Sequence, residues 1–262
     1  MSLRINTNVE AFNAHRNLES TATRLAKSME RLSSGFRINR AADDAAGLAI
    51  SEKLRGQIGG LNQARRNVQD GISLVQTAEG SLTEVHSMLQ RIRELKVQYE
   101  NGTLATTDRA AIASEITQLT DEITRIRNTA QFNNIRLLDS ATTISFQVGA
   151  NDGETITVTT IDLATAVGAL DASSALADID NAINAVSDAR ATFGAVQNRL
   201  EHTYNNLSVY QENLTASESR IRDVDMAAEM VNFTKNTILQ QAGTAMLAQA
   251  QQSPQAVLSL LR

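Results

Sequence analysis

The chain has 262 residues, room for one or two domains, and a formal charge of −5 from 24 basic and 29 acidic side chains. That balance argues against a nucleic-acid binder, and the absence of Cys excludes disulfides and thiolate metal sites. Only 3% of residues are aromatic against 42% hydrophobic, with no Trp and a single Pro, so the apolar content suits thin seams between long, Pro-free helices better than a bulky globular core.

The first 32 residues form an amphipathic helix with the seam Leu18, Ala22, Leu25, Met29 and Leu32. Its basic residues, among them Arg16, Arg24, Lys27 and Arg31, read as a solvated helix face. The stretch ERLSSGFRINRAADDAAGLAIS (30–51) follows. Ser33, Ser34 and Gly35 break the helical pattern, and Arg37, Arg40, Asp43 and Asp44 form a charge cluster, so the segment is a joint between two helical tiers. Adjacent helical residues point about 100° apart. Asp43 and Asp44 are therefore read as a helix cap, or as ion-pair partners of Arg37 or Arg40, rather than as a catalytic dyad.

Residues 43–99 carry the longest periodic run, including Leu54, Ile58, Leu61, Val68, Val75, Leu82, Leu89 and Ile92. At 1.5 Å per residue it spans roughly 85 Å, which implies a rod. Gly56, Gly59, Gly60, Gly71 and Gly80 within it either weaken the helix or mark close approach, and the sequence does not separate the two. Asn101-Gly102 ends the helix. The next helix has the seam Ile112, Ile116, Leu119, Ile123 and Ile126, with Thr107 or Asp108 as its N-cap.

The period then changes to two. Ile144, Phe146 and Val148, then Ile156 and Val158, alternate with polar residues around Gly149–Gly153, predicting one β-hairpin at about 142–160 and no other β-structure. Residues 162–175 read as a turn or linker. Leu176, Ile179, Ile183, Val186, Phe193, Leu200, Leu207, Leu214 and Ile221 hold a heptad register, which predicts supercoiled helix packing. The last segment, 226–262, is an Ala-, Gln- and Met-rich helix interrupted by Pro254 and closing on Val257, Leu258, Leu260 and Leu261. Both chain ends are too thin to be stable alone. They pair with each other, pair with other subunits, or stay disordered until they do.

The chain shows little sign of chemistry. His15, His86 and His202 sit in no metal-ligand spacing, and no nucleophile elbow, Walker A or dinucleotide motif is present. The run Arg91-Ile92-Arg93-Glu94 reads as a solvated helix face. No signal peptide is visible at MSLRINTNVE, and no segment is apolar for the length of a membrane span.

Several blocks resemble bacterial flagellin. They are INTNVEAFNAHRNL, ERLSSGFRINRAADDAAGLAIS, QARRNVQDGISLVQTAEGSLTEV and LQRIREL at one end, and GAVQNRLEHTYNNL and SRIRDVDMAAEMVNFTKNTILQQAGTAMLAQAQQSPQAVLSLLR at the other. The resemblance covers most of residues 1–135 and 190–262 and implies a mainly α fold. Long antiparallel helices form a coiled-coil-like rod with one small β-hairpin, and the terminal helices pair. It divides the chain into an inner-tube coiled coil (1–33 and 226–262), a linking spoke (34–43 and 223–225) and a rod domain (44–222). The outer variable domains of larger flagellins are missing.

The implied function is that of a structural, non-enzymatic subunit of the extracellular swimming filament. It would be exported unfolded through the flagellar type III system without a cleaved signal peptide. Its implied partners are further copies of itself, a cap protein, an export chaperone and hook-associated junction proteins, with no cofactor, no nucleic acid and no membrane insertion. The spoke would use Ser33, Ser34, Gly35, Arg37, Arg40 and Asp43. Polymerisation and chaperone binding would use Met246, Leu247, Val257, Leu258, Leu260 and Leu261. By the same resemblance a host flagellin-sensing Toll-like receptor would contact Gln90, Arg91, Leu95 and Glu115, a face that also serves packing between subunits. Lys96 stands where the family often has a small residue. Alternatives are a low-copy hook–filament junction protein with the same termini, a coiled-coil signalling module, and an enzyme carried on an insert. The last requires an HExxH that this chain lacks.

Overall fold

The computed structural model describes residues 8–260, and side chains up to residue 252. Six helices and two short antiparallel strand pairs occur among the described residues. The helices are α1 (Val9–Ser34), α2 (Ala45–Tyr99), α3 (Thr106–Thr129), α4 (Leu163–Val167), α5 (Leu176–Arg222) and α6 (Met226–Leu260). The chain divides into two compact units, one built from the residues up to Gly56 and from Leu214 onward, the other from Gln57–Asn213.

In the second unit the heptad pattern becomes the core. Ile179, Val186, Phe193, Leu200 and Leu207 of α5, each seven residues from the next, are all buried. They face a line on α2 spaced by threes and fours, which includes Leu61, Ala64, Val68, Val75, Ala78, Leu82, Val85, Leu89 and Ile92. The two helices run antiparallel. Arg65 donates to Tyr204 Oη and Gln211 Oε1 (both 2.9 Å), Glu79 lies 3.7 Å from Arg190, and Arg93 lies 2.6 Å from Asp180. Ile112, Ile116 and Ile123 are the buried residues of α3. That helix is capped by Ala105, which makes no side-chain bond. Thr107 and Asp108 therefore lie inside the first turn, where the Asp108 charge favours the helix N-terminus.

The expected hairpin is present as β3 (Thr143–Gln147) and β4 (Thr155–Thr159), with Ile144 opposite Val158 and Phe146 opposite Ile156. Ile156 and Val158 are buried, which matches the period-two pattern. Two elements depart from expectation. A second hairpin, β1 (Gln131–Phe132) with β2 (Ile135–Arg136), precedes it. Its turn places both Asn133 (φ 48°) and Asn134 (φ 64°) in the left-handed region, the conformation a tight two-residue hairpin turn requires and Asn tolerates. The supposed linker also holds α4, where Asp162 caps the helix by accepting from the Ala164 N–H at 2.9 Å. In addition, α6 continues through Pro254 instead of stopping there. Proline removes one helical donor but does not by itself end a helix.

Candidate functional site

The first unit is organised around the pairing of α1 and α6. Ala11, Ala14, Leu18, Thr21, Leu25, Ser28 and Leu32 form a buried or half-buried line at alternating spacings of three and four. Glu229, Phe233, Asn236, Gln240, Gly243, Leu247 and Ala250 form the matching line on α6. This is an antiparallel coiled-coil seam. At one end Asn8 Nδ2 donates to the Ala250 carbonyl at 2.8 Å, and at the other Arg31 lies 3.5 Å from Glu229.

The seam mixes half-buried apolar side chains with fully buried polar ones. Its most buried members on α1 are Thr21 and Ser28, and on α6 Glu229 and Asn236. The expected seam residue Met29 is 57% exposed, because the three–four register passes through Ser28, one position earlier. Several large apolar side chains point outward. Phe12 on α1 and Met230, Val231, Ile238 and Met246 on α6 are each half or more exposed. Met230, Val231, Ile238 and Leu239 also line an open apolar groove of about 510 Å³. Exposed apolar area of this extent marks an interaction surface.

The joint begins where α1 ends. Gly35 adopts φ 74°, a left-handed conformation that favours glycine, and its N–H donates to the Arg31 carbonyl at 2.9 Å. Ser34 Oγ accepts from the Phe36 N–H at 3.1 Å, while Ser33 is exposed. The outgoing strand then pairs with the segment returning from α5. The Val224 N–H donates to the Gly35 carbonyl (3.0 Å), the Arg37 N–H donates to the Arg222 carbonyl (2.7 Å), and Phe36 forms an antiparallel bridge with Asp223. The Arg37 guanidinium donates to the Ile221 carbonyl. Arg222 stacks over the Phe36 ring at 4.8 Å and pairs with Glu52 at 2.9 Å, and Ile38, two residues on, is fully buried.

The charge cluster is wired differently from the expected Asp–Arg pairs. Asp43 pairs with Lys27 of α1 at 2.6 Å and also accepts from the backbone N–H groups of Asn39 (3.2 Å) and Arg40 (3.1 Å). The Lys27 bond, opposed by burial and aided by the two N–H groups, holds the Asp43 carboxyl down at about 2. Arg40 pairs with Glu30 at 2.9 Å. Asp44 caps α2 by accepting from the Gly47 N–H at 2.8 Å. Asp43 thus ties the joint back to α1, and Asp44 starts the next helix.

On the second unit, Gln90, Arg91 and Glu115 are exposed. Arg91 donates through Nε and Nη2 to Glu115 Oε1 at 3.1 and 3.0 Å and also reaches Glu94 at 3.3 Å. These carboxylates, Glu115 first, raise the guanidinium pKa further. Gln90 lies 3.0 Å from His86. Leu95, expected beside them, is only 2% exposed and belongs to the core. The α2 line facing the core takes Ile92 and Leu95 and leaves Gln90 and Arg91 outside, so Leu95 supports that surface from below instead of forming part of it. Lys96 is also buried, donating to the Ala172 carbonyl at 2.9 Å and pairing with Glu100 at 2.7 Å. It joins the end of α2 to the segment before α5.

Of the C-terminal residues, Met246 is 65% exposed and Leu247 sits half-buried on the seam. Val257, Leu258, Leu260 and Leu261 lie outside the residues whose side chains are described. Among the described residues no group of three or more His, Asp or Glu side chains could hold a metal ion. No helix there is long and apolar enough to cross a membrane.

The terminal pairing and the joint fall in the regions matched by two family models. The bacterial flagellin N-terminal helical region matches residues 5–143, and the C-terminal helical region matches residues 176–261. A flagellin of Halalkalibacterium halodurans is 58% identical over 98% of this chain and 99% of its own. The flagellar filament 33 kDa core protein of Treponema phagedenis is 49% identical over 98% of this chain and 99% of its own. The crystal structure of Bacillus cereus flagellin superposes with a TM-score of 0.51 at 35% identity, over 54% of this chain and 88% of that one. With both helical regions matched and relatives aligned along almost their whole length, the chain belongs to the bacterial flagellin family.

Proposed function

We propose that this protein polymerises with copies of itself into the flagellar filament and serves there as a structural subunit for swimming. The observation that carries this reading is the exposed apolar surface of the α1–α6 pair, which fully buries Thr21, Ser28, Glu229 and Asn236 while Phe12, Met230, Val231, Ile238 and Met246 face out. Full burial of one such apolar side chain contributes about 1.5–3 kcal/mol, so assembly supplies the stability that the pair lacks alone. A relative named for the flagellar filament core supports the same reading. In this scheme residues 1–33 and 226–262 form the inner tube, 34–43 and 223–225 the spoke, and 44–222 the rod.

Family membership supports export of the unfolded chain by the flagellar type III system to an extracellular filament. An export chaperone would hold the C-terminal helix through Met246, Leu247, Val257, Leu258, Leu260 and Leu261. A cap protein would fold each subunit at the tip, and hook-associated proteins would join the filament base. A host flagellin-sensing Toll-like receptor would read the monomer through Gln90, Arg91 and Glu115.

Electron microscopy of purified protein under polymerising conditions tests the assembly claim. The wild type is expected to form long tubes, whereas Met230→Asp/Ile238→Asp and a chain lacking residues 254–262 are expected to remain soluble. Normal filaments from both variants would overturn it. The receptor claim is tested separately with soluble monomer in a reporter assay. Arg91→Ala is expected to lower activation by about tenfold or more, since hydrogen bonds to charged groups weigh about 1.5–3 kcal/mol. An unchanged response would reject Arg91 as a contact.

A further inference from the structure

Between α1 and α6 lies a cleft of about 250 Å³ whose chemistry differs from that of the outer apolar face. Arg24, Lys27, Arg31 and Lys235 line it against the single carboxylate of Glu229. Lys27 is engaged with Asp43. Even with that carboxylate counted, two positive charges remain in excess. Among the described residues Lys235 has no ion-pair partner, and Arg24 bonds only to the Ser20 hydroxyl and carbonyl. Arg31 makes one loose contact with Glu229 at 3.5 Å, and its buried Nε has no hydrogen-bond partner.

Two further residues of the lining are at least nine-tenths buried and polar: Ser28 (5% exposed) and Asn236 (9%). Among the described residues neither side chain has a hydrogen-bond partner. The Ser28 hydroxyl and the Asn236 amide keep some access to solvent, so each is open to a ligand entering the cleft. Two neutral donors free to bond, beside surplus cations and the buried, unpartnered Arg31 Nε, complement a small multivalent anion. The guanidinium forks and the ammonium would take its charge, and Ser28 and Asn236 would donate to oxygens reaching into the cleft.

We propose that this cleft is a binding site for a tetrahedral oxyanion of the phosphate or sulfate class. An anion bound here would bridge α1 and α6 and neutralise the two surplus positive charges. It would stabilise the pairing of the chain ends in proportion to its occupancy, because it binds only the paired form. The cleft adjoins the apolar groove and shares Lys235 and Leu239 with it, which is why binding is measured in both the soluble and the assembled state.

The test is equilibrium binding of inorganic phosphate to the full-length chain, both soluble and assembled, at fixed pH and with ionic strength held constant by chloride. Saturable binding of one phosphate per chain is expected in at least one of the two states. It should weaken by about tenfold or more in Arg24→Gln/Lys235→Gln, two exposed positions whose replacement leaves the seam intact. Asn236→Leu, which replaces the buried amide, should weaken it as well. Arg16→Gln removes a positive charge elsewhere on α1 and should leave binding unchanged. The absence of saturable binding in both states would overturn the proposal. So would binding that survives Arg24→Gln/Lys235→Gln, or that falls equally in Arg16→Gln.

Discussion

Gly59 and Gly60 are neighbours on α2, and alanine is expected to have opposite effects at the two positions. A Cβ added at Gly59 meets nothing within 4 Å, so the substitution contributes only the helix-propensity gain of about 0.8–1 kcal/mol. A Cβ added at Gly60 would lie 2.9 Å from the Ala150 Cβ and 3.2 Å from its Cα, at the tip of the β3–β4 hairpin. Neither atom is the end of a flexible side chain, so the hairpin loop must move. Overpacking of this kind costs about 1–3 kcal/mol, which cancels or outweighs the same propensity gain. The two variants should therefore differ by about 1–3 kcal/mol, with Gly59→Ala the more stable. In a unit of this size that corresponds to roughly 2–4 °C of melting temperature per kcal/mol. Thermal and urea unfolding of the soluble chain, followed by circular dichroism, measures it. If Gly60→Ala stabilises as much as Gly59→Ala, the hairpin does not pack against α2 as closely as described.

The joint and its charges give two more predictions. Gly35→Ala should weaken the joint by about 1–2 kcal/mol through backbone strain alone, since its φ is 74° and no atom lies within 4 Å of the new Cβ. Gly35→Pro should be worse, because it also removes the N–H bond to Arg31, and wild-type filament yield from the proline variant would count against the joint. For Asp43, the folded pKa of about 2 lies below the ordinary 3.8, so its contribution is present above the ordinary value and is lost as pH falls from about 4 to 2. Asp43→Asn should lower filament stability at neutral pH and make acid-induced dissociation less steep over that interval. Identical acid profiles for the two proteins would exclude the Lys27–Asp43 pair as a contributor.

Where helix period and burial coincide, the sequence was enough. The heptad Ile179–Val186–Phe193–Leu200–Leu207 predicted both the helix and its buried face, because a seven-residue repeat of large apolar residues leaves one way to exclude water. The β3–β4 hairpin was legible for the same reason at period two. The β1–β2 hairpin could have been found from Asn133-Asn134, a dipeptide that tolerates left-handed backbone, but its strands are two residues long and carry no alternation to notice. The α4 helix escaped because five residues are too few for periodicity, although Asp162 was available as a cap.

The candidate site was legible in outline and not in detail. Ser33-Ser34-Gly35 marked the joint because a helix-breaking turn leaves a local chemical trace. Which partner Asp43 takes depends on how α1 approaches the joint, and that distance is set by contacts far apart in sequence. The terminal seam shows the limit most plainly. Hydrophobicity placed Met29 inside, yet the pairing register buries Thr21 and Ser28 and turns Met29 out. By itself the sequence determined long helices, a joint and ends too thin to stand alone. Only the tertiary structure decided that those ends bury Thr21, Ser28, Glu229 and Asn236 and expose Phe12, Met29, Met230, Val231, Ile238 and Met246, because burial depends on which face of a helix meets its neighbour.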